Sequence, residues 1–118
     1  RWTDLSEANL IRANLSHTDL VKTNLARTIL CDAKLRSADL NGTRFFYGKP
    51  EDASPRSRTV PPDYRTGQHT GAVVEGADFT EAQQMSDDQR YYCCAWGGAK
   101  TRSTIPGGCE GIPNKLGR

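Results

Sequence analysis

Few side chains in this sequence could carry out chemistry on a substrate. The residues to consider first are two histidines and four cysteines: His17, His69, Cys31, Cys93, Cys94 and Cys109. A nucleophilic enzyme needs a nucleophile, a base and an orienting acid in one place, and no pattern here predicts such a group. The Lys-Thr pair after two glycines at 97–101 lacks the spacing of a phosphate-binding loop. We therefore expect no catalytic residues, no cofactor and no enzyme activity.

Three of the cysteines lie in the last quarter of the chain. Adjacent Cys93 and Cys94 do not have the paired spacing of a zinc ribbon, so a metal site is disfavoured. A disulfide from Cys109 to either Cys93 or Cys94 is favoured, because closing a loop of about fifteen residues adds ~3 kcal/mol to the stability of a small domain. Such a bridge indicates an oxidising compartment. An alternative is a thiol redox protein that uses Cys93 and Cys94, which would require a depressed thiol pKa.

The elements that must position these residues follow a repeat of five. Every fifth residue from Leu5 to Phe45 is large and apolar, and the residue two positions before each is Ala or Thr. A period of five fits neither a helix nor an ordinary strand. It indicates a chain that turns a corner every five residues and sends one large and one small side chain inward. Like residues also recur twenty apart, as at Thr3, Thr23 and Thr43, which predicts four repeats per coil.

Residues 48–71 interrupt this repeat and carry four of the six prolines. Because the pattern resumes at Val74 and Phe79, we interpret the segment as an insertion looped out of the coils, either functional or simply tolerated at the surface. In register, Val74 stacks over Leu30 and Phe79 over Leu35, which gives nearly three coils. The predicted core consists of Leu5, Leu10, Leu15, Leu20, Leu25, Leu30, Leu35, Leu40, Phe45, Val74 and Phe79.

A helix is predicted after the repeats. Ser86 is its expected N-cap, Gln89 completes a capping box, and the glycines after Trp96 end it. We expect its apolar face to cover the open end of the last coil. The predicted organisation is a coiled region at 1–84, interrupted by 48–71, and a capping helix with an irregular, basic, disulfide-tied tail at 85–118.

Charge and hydropathy exclude some functions. The net charge of +2 argues against a nucleic-acid binder and against an acidic DNA mimic. We find no run of ~18 apolar residues and so expect no membrane span. Because the chain begins at Arg1 in the middle of the repeat, we expect a removed targeting segment or further coils before it.

The motifs ANL, TDL, TNL and ADL at this spacing resemble the pentapeptide-repeat family. The resemblance implies an all-β solenoid, a right-handed quadrilateral parallel β-helix, here with an α-helical cap. The ending YYCCAWGGAKTRSTIPGGCEGIPNK is similar to those of cyanobacterial and chloroplast thylakoid-lumen members. It implies a location in the thylakoid lumen and a protein partner such as a photosystem or another photosynthetic membrane complex. An alternative in the wider family is a gyrase-protecting DNA mimic, which needs a long acidic rod.

One side of the predicted coil is unusually apolar at its outward positions. Ile11 is expected to stack on Cys31, and Ile29 on Val73. Grouped apolar side chains on a rigid wall predict a docking face for a protein. The alternative is that the insertion covers this wall with Val60 and Tyr64. We therefore expect a non-catalytic protein-binding or scaffold module.

Overall fold

The chain winds in coils of twenty residues that are joined by parallel backbone pairing. The structure is a computed structural model and describes residues 2–118. The prediction of a targeting segment or further coils before Arg1 concerns a part of the chain outside these residues. Strand β1 (Thr3–Asp4) pairs in parallel with β2 (Thr23–Asn24), and the single bridges Asn9–Ile29, Asn14–Lys34 and Asp19–Asp39 repeat the same offset on the other three sides of the coil. Each coil has four such sides, as the sequence predicts, whereas its handedness stays a prediction. We call these sides the first face (3–5, 23–25, 43–45), the second face (8–11, 28–31, 72–75), the third face (13–16, 33–36, 77–80) and the fourth face (18–21, 38–41, 82–84).

The corners between faces are turns that the repeat builds from its own side chains. At the first corner the amide of Ala8 donates to the carbonyl of Leu5 over 3.1 Å, and Glu7 has a φ of 65°. A side chain other than glycine is strained there, at a cost of about 1–3 kcal/mol. At the next corner the Oδ1 of Asn9 accepts from the amide of Ile11 over 3.2 Å, and the same bond recurs along the repeats. The Asp and Asn side chains of the repeats therefore accept hydrogen bonds that shape the corners.

The inward side chains form one continuous core. Eight of the predicted core residues are at most 3% exposed, namely Leu20, Leu25, Leu30, Leu35, Leu40, Phe45, Val74 and Phe79. Leu5, Leu10 and Leu15 are only partly buried, because they lie in the first described coil and only the second coil packs on them. The predicted register is confirmed, since Val73 pairs with Ile29 one residue before Val74 and Leu30.

The insertion takes the place of the two central residues of one corner turn. The amide of Ala72 donates to the carbonyl of Phe45 over 2.8 Å, which is the bond that closes an ordinary corner. Residues 46–71 therefore stand where other corners have two residues. The segment is anchored from within, since Ala53 is 1% exposed and belongs to the core.

Two helices follow the coils. Helix α1 (Asp87–Trp96) begins at Ser86 and has the predicted capping box, in which Gln89 and Ser86 each bond the other's backbone amide. Helix α2 (Gly98–Arg102) comes directly after it, where the sequence predicted an irregular tail. That expectation is wrong because Gly98, with a φ of 80°, turns the chain into a new helix instead of ending helical structure.

Both helices lie against the last coil. The Nε2 of Gln89 donates to the carbonyl of Leu40 over 3.1 Å, and the hydroxyl of Tyr92 donates to that of Ala72 over 2.6 Å. From α2, the Oγ1 of Thr101 donates to the Val74 carbonyl over 3.2 Å. These bonds tie both helices to backbone carbonyls at the end of the coils. Among residues 2–118, none of the helices is long and apolar enough to cross a membrane.

Candidate docking surfaces

The four residues of the predicted docking face lie together on the second face. Ile29 pairs with Val73 across neighbouring coils, and the amide of Arg12, next to Ile11, donates to the carbonyl of Cys31 over 2.9 Å. The side chain of Ile11 is 44% exposed, whereas Ile29, Cys31 and Val73 are half-buried. The backbone under this face is held at each coil by the ladder, so its apolar side chains stand on a rigid support.

At the Val73 end, this face opens into a groove of about 390 Å³. The insertion forms one wall with Pro55 and Arg56, while Trp96 of α1 and Leu116 of the tail form the other. The indole Nε1 of Trp96 donates to the carbonyl of Ala53 over 3.2 Å, which ties the two walls together. The groove therefore lies where three segments that are distant in sequence meet.

Charged groups fix the rim of this groove. Arg118 bonds both carboxylate oxygens of Glu75 at 3.0 and 3.1 Å, and this pairing raises the pKa of Arg118. On the opposite wall, Arg56 donates to the carbonyl of Arg27 over 2.9 Å, and Arg27 donates to that of His69 over 2.8 Å. The insertion is thus bonded to the coil at this corner.

The insertion does not use its large apolar side chains to cover the second face. Val60 and Tyr64 are 47% and 53% exposed, so the alternative in which they bury this wall is not supported. In the groove, the insertion lies beside Val73. Ile11, at the other end of the face, remains the most exposed of its apolar residues.

The cysteines divide into one bridge and two free thiols. Cys94 is bonded to Cys109, while Cys31 and Cys93 are free. The sequence left the choice between Cys93 and Cys94 open. Both are fully buried in the core cluster, but it is Cys94 that lies beside the tail, where its Sγ is 3.6 Å from the carbonyl of Gly108. Among residues 2–118 there is no group of three or more His, Cys, Asp or Glu side chains that could hold a metal.

Neither free thiol suits redox chemistry. Burial raises the pKa of the Cys93 thiol. Burial also raises the pKa of Cys31, and the carboxylates of Glu75 and Asp32 raise it further. A redox thiol needs the opposite shift, since the thiolate is the reactive form.

A second exposed surface lies beside the first face and was not predicted from the sequence. The guanidinium carbon of Arg44 lies 5.1 Å from the ring centroid of Trp2 and 4.4 Å from that of Tyr47. The rings of Tyr47 and Tyr64 are 4.9 Å apart and nearly perpendicular. We call Trp2, Arg44, Tyr47 and Tyr64 the aromatic–arginine surface. Its members come from the first coil, the third coil and the insertion, so no spacing in the sequence signals it.

The repeat region can now be compared with known proteins. The family model for pentapeptide repeats matches residues 8–45, as eight copies. Residues 8–45 are therefore a run of pentapeptide repeats. A solved structure, described as a pentapeptide repeat protein from the Arabidopsis thaliana thylakoid lumen, is similar at 22% sequence identity, over 88% of this chain and 79% of that one, with a TM-score of 0.24. No curated protein matches the chain.

The match to the pentapeptide-repeat family ends where the insertion begins. The repeats centred on Val74 and Phe79 lie outside it, yet they continue the ladder through the pairs Ile29–Val73 and Lys34–Asp78. The pentapeptide coil thus extends past the insertion. Both candidate surfaces border that interruption.

Proposed function

We propose that this protein is a non-catalytic protein-binding module that docks a protein partner on its second face. The observation that carries the proposal is the apolar strip of Ile11, Ile29 and Val73, which stays accessible on a rigid ladder and leads into the groove. Burying such a strip gains about 25 cal/mol for each Å² of apolar surface. Little of this gain is lost to ordering, because the ladder already fixes the backbone.

The groove suits the end of a partner segment that crosses this face. Its walls offer the side chains of Pro55, Trp96 and Leu116, which can pack around an apolar group. Bonds from Trp96 to Ala53 and from Arg118 to Glu75 hold the walls in place before binding. Binding to a preformed groove loses less conformational entropy than binding to a mobile one.

The proposed location is the thylakoid lumen, with a partner in a photosynthetic membrane complex. The resemblance of the C-terminal ending supports this location, and the bridge between Cys94 and Cys109 is consistent with it because disulfides persist in oxidising compartments. In the same proposal, residues 85–118 act as a cap that closes the coils of 1–84. The net charge of +2 disfavours the DNA-mimic alternative.

The test places charges on the second face and, as a control, on the third. The variant is Ile11→Glu with Ile29→Glu, and its control is Ser16→Glu with Lys34→Glu, which alters the same register positions one face further along. We expect both proteins to unfold within about 0.5–1 kcal/mol of the parent, as surface variants usually do. Capture of a defined lumen-exposed complex, measured by quantitative mass spectrometry, should be lost only with the Ile variant, because its charges would be buried without partners.

Two outcomes would overturn the proposal. Undiminished capture by the Ile variant would show that the second face is not the docking face. A loss of stability confined to the Ile variant would show instead that these side chains are needed within the fold.

A further inference from the structure

Arg44 differs from the other half-buried arginines because its charge has no partner. Among residues 2–118 its guanidinium makes no hydrogen bond or ion pair with another protein group, and it lies over the rings of Trp2 and Tyr47. By contrast, Arg27 and Arg102 both donate to backbone carbonyls. A guanidinium that lies over aromatic rings keeps its N–H groups, which lie in its own plane, available to an acceptor.

We propose that the aromatic–arginine surface binds an acidic side chain of a protein partner, with the carboxylate on Arg44 and flanking apolar groups on Trp2 and Tyr64. The fork of Arg44 can donate two parallel hydrogen bonds to one carboxylate. Trp2 and Tyr64 are 50% and 53% exposed, and each presents a large ring to such a segment. Trp, Tyr and Arg are also the residues that dominate binding energy at protein interfaces.

The surroundings of Arg44 favour a single carboxylate over a polyanion. A hollow of about 210 Å³ beside it is lined by Trp2, Phe46 and Asp88, among others. The exposed carboxylate of Asp88 would repel the several phosphates of a nucleic acid or of a lipid surface more than it repels one acidic side chain, because the repulsion adds up over the charges. A space of this size between two aromatic residues fits one side chain with its apolar stem.

The surface is held in place before a ligand arrives. The amide Nδ2 of Asn24 donates to the Tyr47 hydroxyl over 3.4 Å, and the amide of Tyr47 donates to Thr70 over 3.0 Å. Tyr64 then packs edge-on against Tyr47. The insertion therefore supplies two of the four residues, and this surface lies one corner away from the docking face proposed above and is independent of it.

The experiment titrates the isotope-labelled protein with the pentapeptide acetyl-Gly-Leu-Glu-Leu-Gly-amide and with its Gln counterpart. We expect the Glu peptide to shift the signals of the Trp2 indole N–H and the Arg44 Nε–H saturably. The Gln peptide should bind at least tenfold more weakly, because a neutral amide cannot accept both bonds. Arg44→Lys should also lose at least tenfold, since lysine has no planar fork. Arg12→Lys, a change at an exposed corner arginine, should leave the titration unchanged.

Equal affinity of the two peptides, or unchanged affinity in Arg44→Lys, would overturn the proposal. So would shifts that map to the groove at Trp96 instead of to Trp2. Tighter binding of a short single-stranded DNA than of the Glu peptide, in a parallel titration, would assign the surface to a nucleic acid and would equally overturn it.

Discussion

At the scale of single residues, neighbouring positions of the repeat should contribute very different amounts to the free energy of unfolding. Leu25 lies in the second coil with 0% exposure, between Leu5 and Phe45 on the same face. Leu25→Ala should lower the free energy of unfolding by about 2–5 kcal/mol, because a stacked column cannot collapse into the cavity. Urea denaturation followed by circular dichroism measures this loss.

Asn24, one residue earlier, is the control for that change. Its side chain points outward, where its Oδ1 accepts from the amide of Ala26 over 3.0 Å. Asn24→Ala removes this bond and the bond from its Nδ2 to the Tyr47 hydroxyl, and should cost only about 1–2 kcal/mol, the net value of two such hydrogen bonds. Equal losses for the two variants would show that the inward register has been assigned wrongly.

The two free thiols should differ in reactivity. Cys31 is half-buried at the edge of the second face, whereas Cys93 is fully buried, and burial raises its pKa. At pH 8 the native protein should therefore be alkylated by iodoacetamide at Cys31 only, and Cys93 should react only on unfolding. Mass spectrometry of the digested protein resolves the two sites, and Cys31→Ser should leave no reactive thiol in the native state. Fast labelling of native Cys93 would reinstate the redox alternative.

The same burial makes stability depend on pH. The pKa of Cys93 is raised in the folded state, so the thiol of the unfolded chain ionises first, at about 8.5. Below that pH the thiol contributes nothing to the difference between the states. Above it, the unfolded chain is increasingly favoured and stability falls by up to about 1.4 kcal/mol for each pH unit. Comparing unfolding at pH 7 and pH 10 in the parent and in Cys93→Ser measures this contribution.

At the scale of elements, the sequence predicts a helix boundary where residues close in sequence determine it. The capping box of Ser86 and Gln89 fixes the start of α1 within four residues of sequence, so it was predictable. The second helix was not, because whether Gly97 and Gly98 end helical structure or only redirect it depends on contacts made elsewhere. The bond from Ala99 to the carbonyl of Arg118 is one such contact. The choice of Cys94 over Cys93 likewise follows from how α1 packs on the coil.

The bridge from Cys94 to Cys109 should stabilise the C-terminal region, but the helices there should form without it. Replacing both cysteines by serine should cost about 3 kcal/mol, since the separation of 15 residues sets the entropy that the bridge removes from the unfolded chain. The helices should persist, because Arg102 still donates to the carbonyls of Cys94 and Ile112, each over 2.9 Å. Far-ultraviolet circular dichroism and thermal unfolding measure the two effects, with Cys31→Ser as the control. Loss of helical signal would mean that the bridge is required for the helices to form.

At the scale of the whole molecule, the coil was predictable and its surfaces were only partly so. A period of five residues fixes which side chains point inward, and stacking at twenty residues fixes which outward positions are neighbours. The face of Ile11, Ile29 and Val73 follows from that periodicity. The aromatic–arginine surface does not, because Tyr64 reaches Tyr47 through a segment without periodicity. What the repeat encodes can be predicted from the sequence, and what the insertion adds depends on tertiary packing.

The insertion should therefore be removable without unfolding the coil. Replacing residues 46–71 by Asn-Gly, the pair that forms the corner after Leu40, should restore an ordinary turn, because the amide of Ala72 already bonds the carbonyl of Phe45. The variant loses the stacking of Phe46 on Tyr92 at 4.9 Å and the bond from Trp96 to Ala53, together worth about 1–3 kcal/mol.

Hydrogen exchange tests whether the coil stays folded without the insertion. The amides of Ile29, Lys34 and Asp39, which bond the first coil, should stay protected in the shortened protein, and unfolding should stay cooperative. Loss of their protection would mean that the insertion holds the coils together. If the coil persists, the shortened protein should no longer bind the Glu peptide, because it lacks Tyr47 and Tyr64. Docking on Ile11 and Ile29 should continue, and only the contacts made in the groove beside Val73 should be lost. Loss of both activities in a folded variant would mean that the two surfaces form one site.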